Sequence, residues 1–288
     1  MELKPIEPQA SRFSDPDQPG EPMRIVLRHS DEDAAVECWY MERRIAYADR
    51  HLGLITVPRD RTRFTTDLTS VPDLFTWLVP RTGSHLAAAL VHDALTPPFS
   101  EAPRPDWEPE GLAITRLQAD RVFRDAMADL GTPTVRRWLV WSAVTLPSAW
   151  ATFRWRALVG YLGLAAIVVL GWFATLDLFD QGDWLPWMAG RPWWLELILG
   201  GAMAVVIPLL LALLWPSGTR KAGAITGVAL AALLHVTVMV GAVAFGYQVL
   251  EHGYHVWTGK RWWLKILLTL LGGGLLLLTY WMFRRYKS

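Results

Sequence analysis

Residues Ala157–Leu176 read ALVGYLGLAAIVVLGWFATL, a run of 20 residues with no charged side chain. Wound as an α-helix at 1.5 Å per residue, such a run reaches about 30 Å, the thickness of a bilayer's hydrocarbon core. Three more apolar runs follow, Leu197–Thr219, Ala222–Leu250 and Ile266–Phe283. Together with their flanks they predict membrane spans near residues 157–178, 196–216, 222–250 and 264–283. A water-soluble protein would have to bury four helices that lack a polar face, and the remaining chain is too short to cover them. Residues 149–288 are therefore expected to form a four-helix transmembrane bundle with the lipid bilayer as partner.

Cations at the ends of the runs orient this bundle. Arg136, Arg137, Arg154 and Arg156 precede the first run, Arg220 and Lys221 separate the second from the third, and Arg284, Arg285 and Lys287 close the chain. These segments are expected on the cytoplasmic side, which places both termini there. The first outer loop agrees, with Asp177, Asp180 and Asp183 against Arg191, whereas the second carries Lys260, Arg261 and Lys265. Trp184, Trp187, Trp193, Trp194, Trp257, Trp262 and Trp263 crowd the outer loops, and Trp155, Trp215 and Trp281 mark the inner boundary. Amphipathic rings collect at headgroup depth. Gly223 with Gly227, and the run Gly272–Gly274, leave bare helix faces suited to close contact inside the bundle or in a homo-oligomer. His235 is the one ionisable residue deep in a run; it reads as a hydrogen bond between helices, with a functional role as the alternative. So few polar groups at mid-depth describe an anchor rather than a conduction pathway.

The first half obeys different physics. Of 288 residues 52% are hydrophobic and 19% charged, but the charges and prolines concentrate before about Trp155. A net charge of +1 offers no general pull on nucleic acid, and no such partner is expected. The single cysteine, Cys38, excludes an intrachain disulfide and a cysteine-based metal cluster. Residues 1–22 are polar and proline-rich, which predicts a disordered tail without an apolar leader. Residues 23–148 then predict a cytosolic α+β domain. Met23–His29, Glu37–Ile45 and Leu52–Val57 read as strands of a short antiparallel sheet. About four helices follow, at Val71–Leu78 with Ser70 as N-cap, from Thr82 or Ser84 to Leu95, at Ile114–Leu130, and at Pro133–Leu146 behind Thr132. Phe99–Glu110 reads as a surface loop, and Pro147 as the break before the first span.

Three segments carry a resemblance. They are Phe64-Thr65-Thr66-Asp67-Leu68-Thr69-Ser70-Val71-Pro72, then Ala88-Ala89-Leu90-Val91-His92-Asp93-Ala94-Leu95, then Ala119-Asp120-Arg121-Val122-Phe123 with Ala126-Met127. In order and spacing they resemble a phage- and prophage-associated family of small proteins classed as a domain of unknown function. The resemblance covers about Ile45 to Leu146 and implies a lineage without an activity. It also implies a bacterial host, and so the bacterial inner membrane for the spans. Family members are typically this domain alone, so the four-span extension departs from the pattern.

Asp67, His92, Asp93 and Asp120 are the polar residues of these segments and form the candidate catalytic set. An imidazole with carboxylates can hold a divalent metal and activate water for hydrolysis, with His92, Asp67 and Asp120 as the ligands. A phosphohydrolase of the H…HD…D type would use such a set, taking His51 or His85 as first ligand, but those folds are all-helical and strands are predicted here. Each residue also has a structural reading. Asp67 can brace the turn before Val71 with Thr66, Thr69 and Ser70, His92 and Asp93 can cap a helix end, and Asp120 can pair with Arg124 four residues on.

Three functions compete. A membrane-tethered hydrolase requires these side chains to converge in an open pocket. A non-enzymatic module that localises a protein partner at the membrane requires a closed polar network and an exposed apolar patch. A holin-like effector would act by oligomerising through its glycine faces.

Overall fold

Charged turns interrupt every apolar stretch in the first part of the chain, so its strands are short. The computed structural model describes residues 12–29, 39–66, 68, 82–96, 106–178 and 190–258. The strands are β1 (Phe13–Ser14), β2 (Leu27–His29), β3 (Trp39–Met41), β4 (Ile45–Asp49), β5 (Gly53–Val57) and β6 (Thr65–Thr66). They pair antiparallel in two sheets, ordered β1-β4-β5 and β2-β3-β6.

Two expectations change here. The stretch expected as one strand from Glu37 to Ile45 is divided between β3 and β4 in different sheets. Glu42-Arg43-Arg44 intervenes, and both arginines turn to acids. Arg43 Nη1 donates to Asp15 Oδ2 at 3.0 Å, and Arg44 Nε to Asp17 Oδ1 at 2.9 Å. The disordered tail expected over 1–22 is corrected for residues 12–22, the part of it that is described: Phe13 sits opposite Tyr47 in β4 and is buried, as is Asp15. Composition pointed to disorder because the partners of these residues lie about 30 positions away.

The β4–β5 hairpin turns through three residues between Asp49 and Gly53, whose φ of +79° suits a left-handed position at the close of such a loop. The buried Asp49 carboxylate accepts from the His51 and Leu52 amides at 2.6 and 3.0 Å.

Helix α1 (Leu86–Leu95) begins behind the buried His85, and neither Thr82 nor Ser84 caps it. Its alanines let neighbours approach on several sides, so Ala87, Ala88, Ala89, Leu90, Val91, Ala94 and Leu95 are all buried. Helix α2 (Arg116–Asp129) opens with a reciprocal box: the Thr115 hydroxyl accepts from the Gln118 amide and the Gln118 side chain accepts from the Thr115 amide. The core joins Ile45, Tyr47, Ile55 and Val57 of the sheet to Leu90 and Val91 of α1 and to Val122, Phe123 and Met127 of α2. The loop expected at the surface over 99–110 contributes to it, because Trp107 is buried with its indole donating to the Leu112 carbonyl at 3.0 Å. Glu108 exchanges backbone hydrogen bonds with Thr56. Residues 97–105 and the predicted helix Val71–Leu78 lie outside the described residues.

Helix α3 (Thr134–Leu178) begins against this core through Val140 and Trp141 and continues into the first apolar run without a linker at 148–149. Pro147 does not break it. The helical dihedrals fail instead at Phe153 (φ −130°, ψ 34°). Proline removes one backbone bond, and the hydroxyls of Ser148 and Thr152 then bond back to Val144 and Ser148 carbonyls at 3.3 and 2.8 Å. Such back-bonding loosens the turns that follow, so the bend is displaced along the helix.

Helix α4 (Trp193–Leu211) passes into a 3-10 turn (Ala212–Leu214). It ends at Trp215, extended ahead of Pro216, so the second run stops being helical before the expected 216–219. Helix α5 follows (Arg220–Thr258). The chain divides into two compact units, Met1–Leu234 and His235–Ser288; the described part of the second is helical.

Within the first unit Trp215 is the wedge. A Cβ added at Gly160 of α3 or Gly223 of α5 would collide with its indole, and one at Gly227 would meet Pro208 of α4 at 2.9 Å and Ile167 of α3 at 3.1 Å. Gly163 faces Leu211 and Leu214, so α4 runs antiparallel to α3. The Gly223 and Gly227 face is thus filled inside the chain. Trp215, expected at the inner boundary of the membrane, is 3% exposed. Gly218 returns to Leu117 of α2, and Ala222 and Ile225 join the α+β core.

Among the described residues two helices, rather than four, are long and apolar enough to cross a membrane: Thr134–Asp177 and Trp193–Leu214. The third expected run falls in α5. The fourth, with Gly272–Gly274, lies outside the described residues, as does the side chain of His235.

Candidate functional site

Helices α1 and α2 pack together, and at their crossing His92 meets Asp120. The imidazole Nε2 is 2.9 Å from Asp120 Oδ1. Asp120 is 1% exposed, whereas the His92 side chain keeps 12%. The second carboxylate oxygen, Oδ2, is buried without a hydrogen-bond partner among the described residues. Phe123, one turn beyond Asp120, places its ring 4.9 Å from the imidazole. On the other side Thr96 donates its hydroxyl to the His92 carbonyl at 2.8 Å and leaves its oxygen 3.5 Å from Nδ1. The pair therefore holds the ring by Nε2 and by its face. Nδ1 faces the Thr96 hydroxyl.

The first motif segment reaches this place through β6. Thr66, buried, donates to Asp93 Oδ2 at 2.7 Å and accepts from the Leu68 amide at 2.9 Å. Leu68 has a φ of +72°, an uncommon left-handed conformation for a residue with a γ-branched side chain. All three motif segments thus meet: β6 on α1 through Thr66 and Asp93, and α1 on α2 through His92 and Asp120. His92 and Asp120 face each other, Asp93 turns to Thr66, and Asp67 lies outside the described residues.

The two histidines weighed as a first metal ligand differ in exposure. His51 is exposed on the β4–β5 turn, and His85 is fully buried ahead of α1. Among the described residues no group of three or more His, Cys, Asp or Glu side chains is close enough to share a metal ion.

Asp120 does not pair with Arg124. Arg124 bonds Asp125 at 2.9 and 3.0 Å and lies over the rings of Trp138 and Trp141, 5.1 and 5.6 Å from their centres. The Asp125 carboxylate and the two aromatic faces thus hold the Arg124 guanidinium. Arg116, four residues earlier than Asp120, feels the Asp120 charge: burial pushes its guanidinium below its usual range, and the Asp120 charge opposes that. Arg116, Thr66 and Thr96 were missing from the candidate set. The i,i+4 spacing of Arg116 and Asp120 was the legible signal for the first; nothing local marks Thr96.

A second polar cluster lies at the far end of α2. Tyr47 donates its hydroxyl to Asp129 Oδ2 at 2.8 Å, and Arg50 grips both carboxylate oxygens at 2.9 and 2.5 Å. Burial alone would push the Asp129 carboxyl up, but hydrogen bonds from Arg50 and Tyr47, with the charges of Arg50 and Arg12, hold it below the usual range. Burial and the bond to Asp129 push the Tyr47 phenol up. This cluster ties sheet to helix.

A protein family described as "Protein of unknown function (DUF1353)" matches residues 39–144. The match runs from β3 into α3 and contains His92, Asp120, Thr66 and Asp93, so the segments that meet in the structure are those of a domain of unknown function. No curated protein and no solved structure matches the chain.

Proposed function

We propose that this chain is an integral membrane protein of a bacterial inner membrane, with both termini in the cytoplasm, whose spans hold a phage-type α+β domain against the bilayer. The exposed apolar surface carries this reading. In the most apolar windows of α3 and α4 only 28% and 11% of the residues are buried. Leu162, Val169, Leu197, Ile198 and Leu210 each stand more than half exposed. A core helix of a soluble protein would cover such side chains, each worth roughly 1.5–3 kcal/mol on burial. The bilayer covers them here.

The return of the chain supports the orientation. α3 leaves the α+β core, α4 comes back antiparallel, and Gly218 and Ala222 rejoin that core. The two cationic segments around Arg154 and Arg220 then share the cytoplasmic side, as the positive-inside rule requires. The full chain should stay with membranes through alkaline carbonate washing and come free only in detergent. Recovery in the wash would overturn the reading.

A second reading rests on the His92 pair. A buried carboxylate that holds Nε2–H leaves Nδ1 as an acceptor, the arrangement that orients a general base or a metal-bound imidazole. In a hydrolase of this kind His92 would take the proton of the attacking water or hold a divalent metal together with Asp67, and Asp120 would orient the ring. Metal measured in the purified full chain, and lost in His92→Gln at unchanged fold, would support the metal form. Hydrolysis of generic phosphodiester or ester probes by the full chain and by His92→Gln alike would remove His92 from the chemistry. Asp93 closed on Thr66 fits a non-enzymatic module equally well, and such a module would show neither metal nor turnover.

A further inference from the structure

The bend in α3 opens a groove of about 590 Å³ lined by Pro147, Trp150, Ala151, Arg154 and Tyr161. The first four lie at i, i+3, i+4 and i+7, one face of the helix before Phe153, and Tyr161 comes from beyond the bend. Trp150 and Tyr161 stand edge to face with ring centres 5.9 Å apart, and Tyr161 is backed in turn by the buried Trp215 at 5.3 Å. The wall is therefore aromatic. Its one charge is Arg154, which is exposed and has no carboxylate partner among the described residues. The exposed Trp155 and Arg156 follow it in sequence, and the uncharged run begins at Ala157.

We infer that this groove binds one phospholipid of the inner leaflet by an anionic headgroup, a claim that rests on the membrane reading above. The groove lies at the height where the chain passes from charged to apolar sequence, so the phosphate of a lipid and the guanidinium of Arg154 meet at the interface. A guanidinium forms paired bonds to phosphate oxygens. The aromatic wall takes the glycerol and the upper acyl chain, which a zwitterionic headgroup would share. Discrimination therefore comes from charge: a choline headgroup brings its own cation to Arg154, whereas phosphatidylglycerol does not. A groove of this size accommodates a ligand of several hundred Å³, much larger than inorganic phosphate.

The test uses the full chain in a neutral maltoside detergent, titrated with short-chain phosphatidylglycerol, short-chain phosphatidylcholine or inorganic phosphate, with retained lipid read by native mass spectrometry. Phosphatidylglycerol should bind best, and Arg154→Gln should weaken it about fivefold, the effect of one cation at an anionic interface. Arg136→Gln, a half-buried cation that does not line the groove, should leave it unchanged. Equal retention of both lipids, an equal loss in both variants, or competition by inorganic phosphate would overturn the site. A chain that needs no detergent to stay in solution would overturn the membrane reading and this inference with it; a chain that needs detergent yet does not discriminate lipids overturns this inference alone.

Discussion

His92 on α1 and Asp120 on α2 lie 2.9 Å apart across a helix crossing, with one carboxylate oxygen bonded and the other buried beside it. Removing the carboxylate leaves the imidazole without its orienting partner, and Asp120→Ala should lower stability by about 1–3 kcal/mol, the usual effect of orphaning a buried polar group. Asp120→Asn keeps one acceptor for Nε2–H and should lose less. Thermal unfolding of the two variants beside the unaltered chain in the same detergent measures the losses; a melting point of Asp120→Ala equal to that of the unaltered chain would mean that the pair contributes no stability.

Gly160 and Gly223 form the two sides of the slot that holds Trp215. Gly160→Val should destabilise the chain by about 1–3 kcal/mol through overpacking. Trp215→Leu combined with it should recover part of that loss, because the two changes share one space. Additive losses in the double variant would show that the slot is not what the glycines are for.

The Asp129 carboxyl titrates below its usual range when folded, so its contribution to stability is complete above its unfolded pKa of about 3.9 and lost as pH falls through the lower folded value. For Asp17 burial pushes up, but bonds from Arg44 and the charges of Arg44 and Arg61 together hold the carboxyl down, and it acts in the same direction. Melting temperature recorded between neutral pH and pH 2 should therefore fall in the acid range. Asp129→Asn should be less stable at neutral pH and show a shallower acid slope; an unchanged slope would sink the assignment.

Ile198 is 60% exposed on α4. If lipid covers it, Ile198→Arg should disfavour insertion by about 2.5–3.5 kcal/mol at mid-span, less nearer the interface. A translocation reporter placed after α4 would read this as a fall in inserted chains. Were α4 a water-facing helix, the same substitution would raise solubility and leave membrane partition untouched.

The candidate site was half legible. His92 and Asp120 stood out because imidazole and carboxylate are rare on helices whose neighbours are apolar, and the three motif segments do meet. Which acid faces the imidazole was not readable, since Asp93 is adjacent in sequence yet points to Thr66, while Asp120 comes from 28 residues away. Helix geometry separates neighbours by about 100°, so adjacency along a chain is a poor guide to facing. Similarly, Phe13 and Asp15 looked like tail because nothing within the tail partners them; β4 and Arg43 do.

By itself the sequence determined the α+β class, the positions of α1 and α2 to within a few residues, and the long uncharged runs that begin at Ala157 and Leu197. Those are local properties, set by periodicity, capping residues and the absence of charge over a bilayer's thickness. The tertiary structure alone decided that the helix runs through Pro147 and bends at Phe153, that Trp215 fills the space left by Gly160 and Gly223, and that Ala222 rejoins the core near α2. Each of these depends on what a residue meets after the chain has folded back, and the free energy of such contacts belongs to the pair, not to either residue's place in the chain.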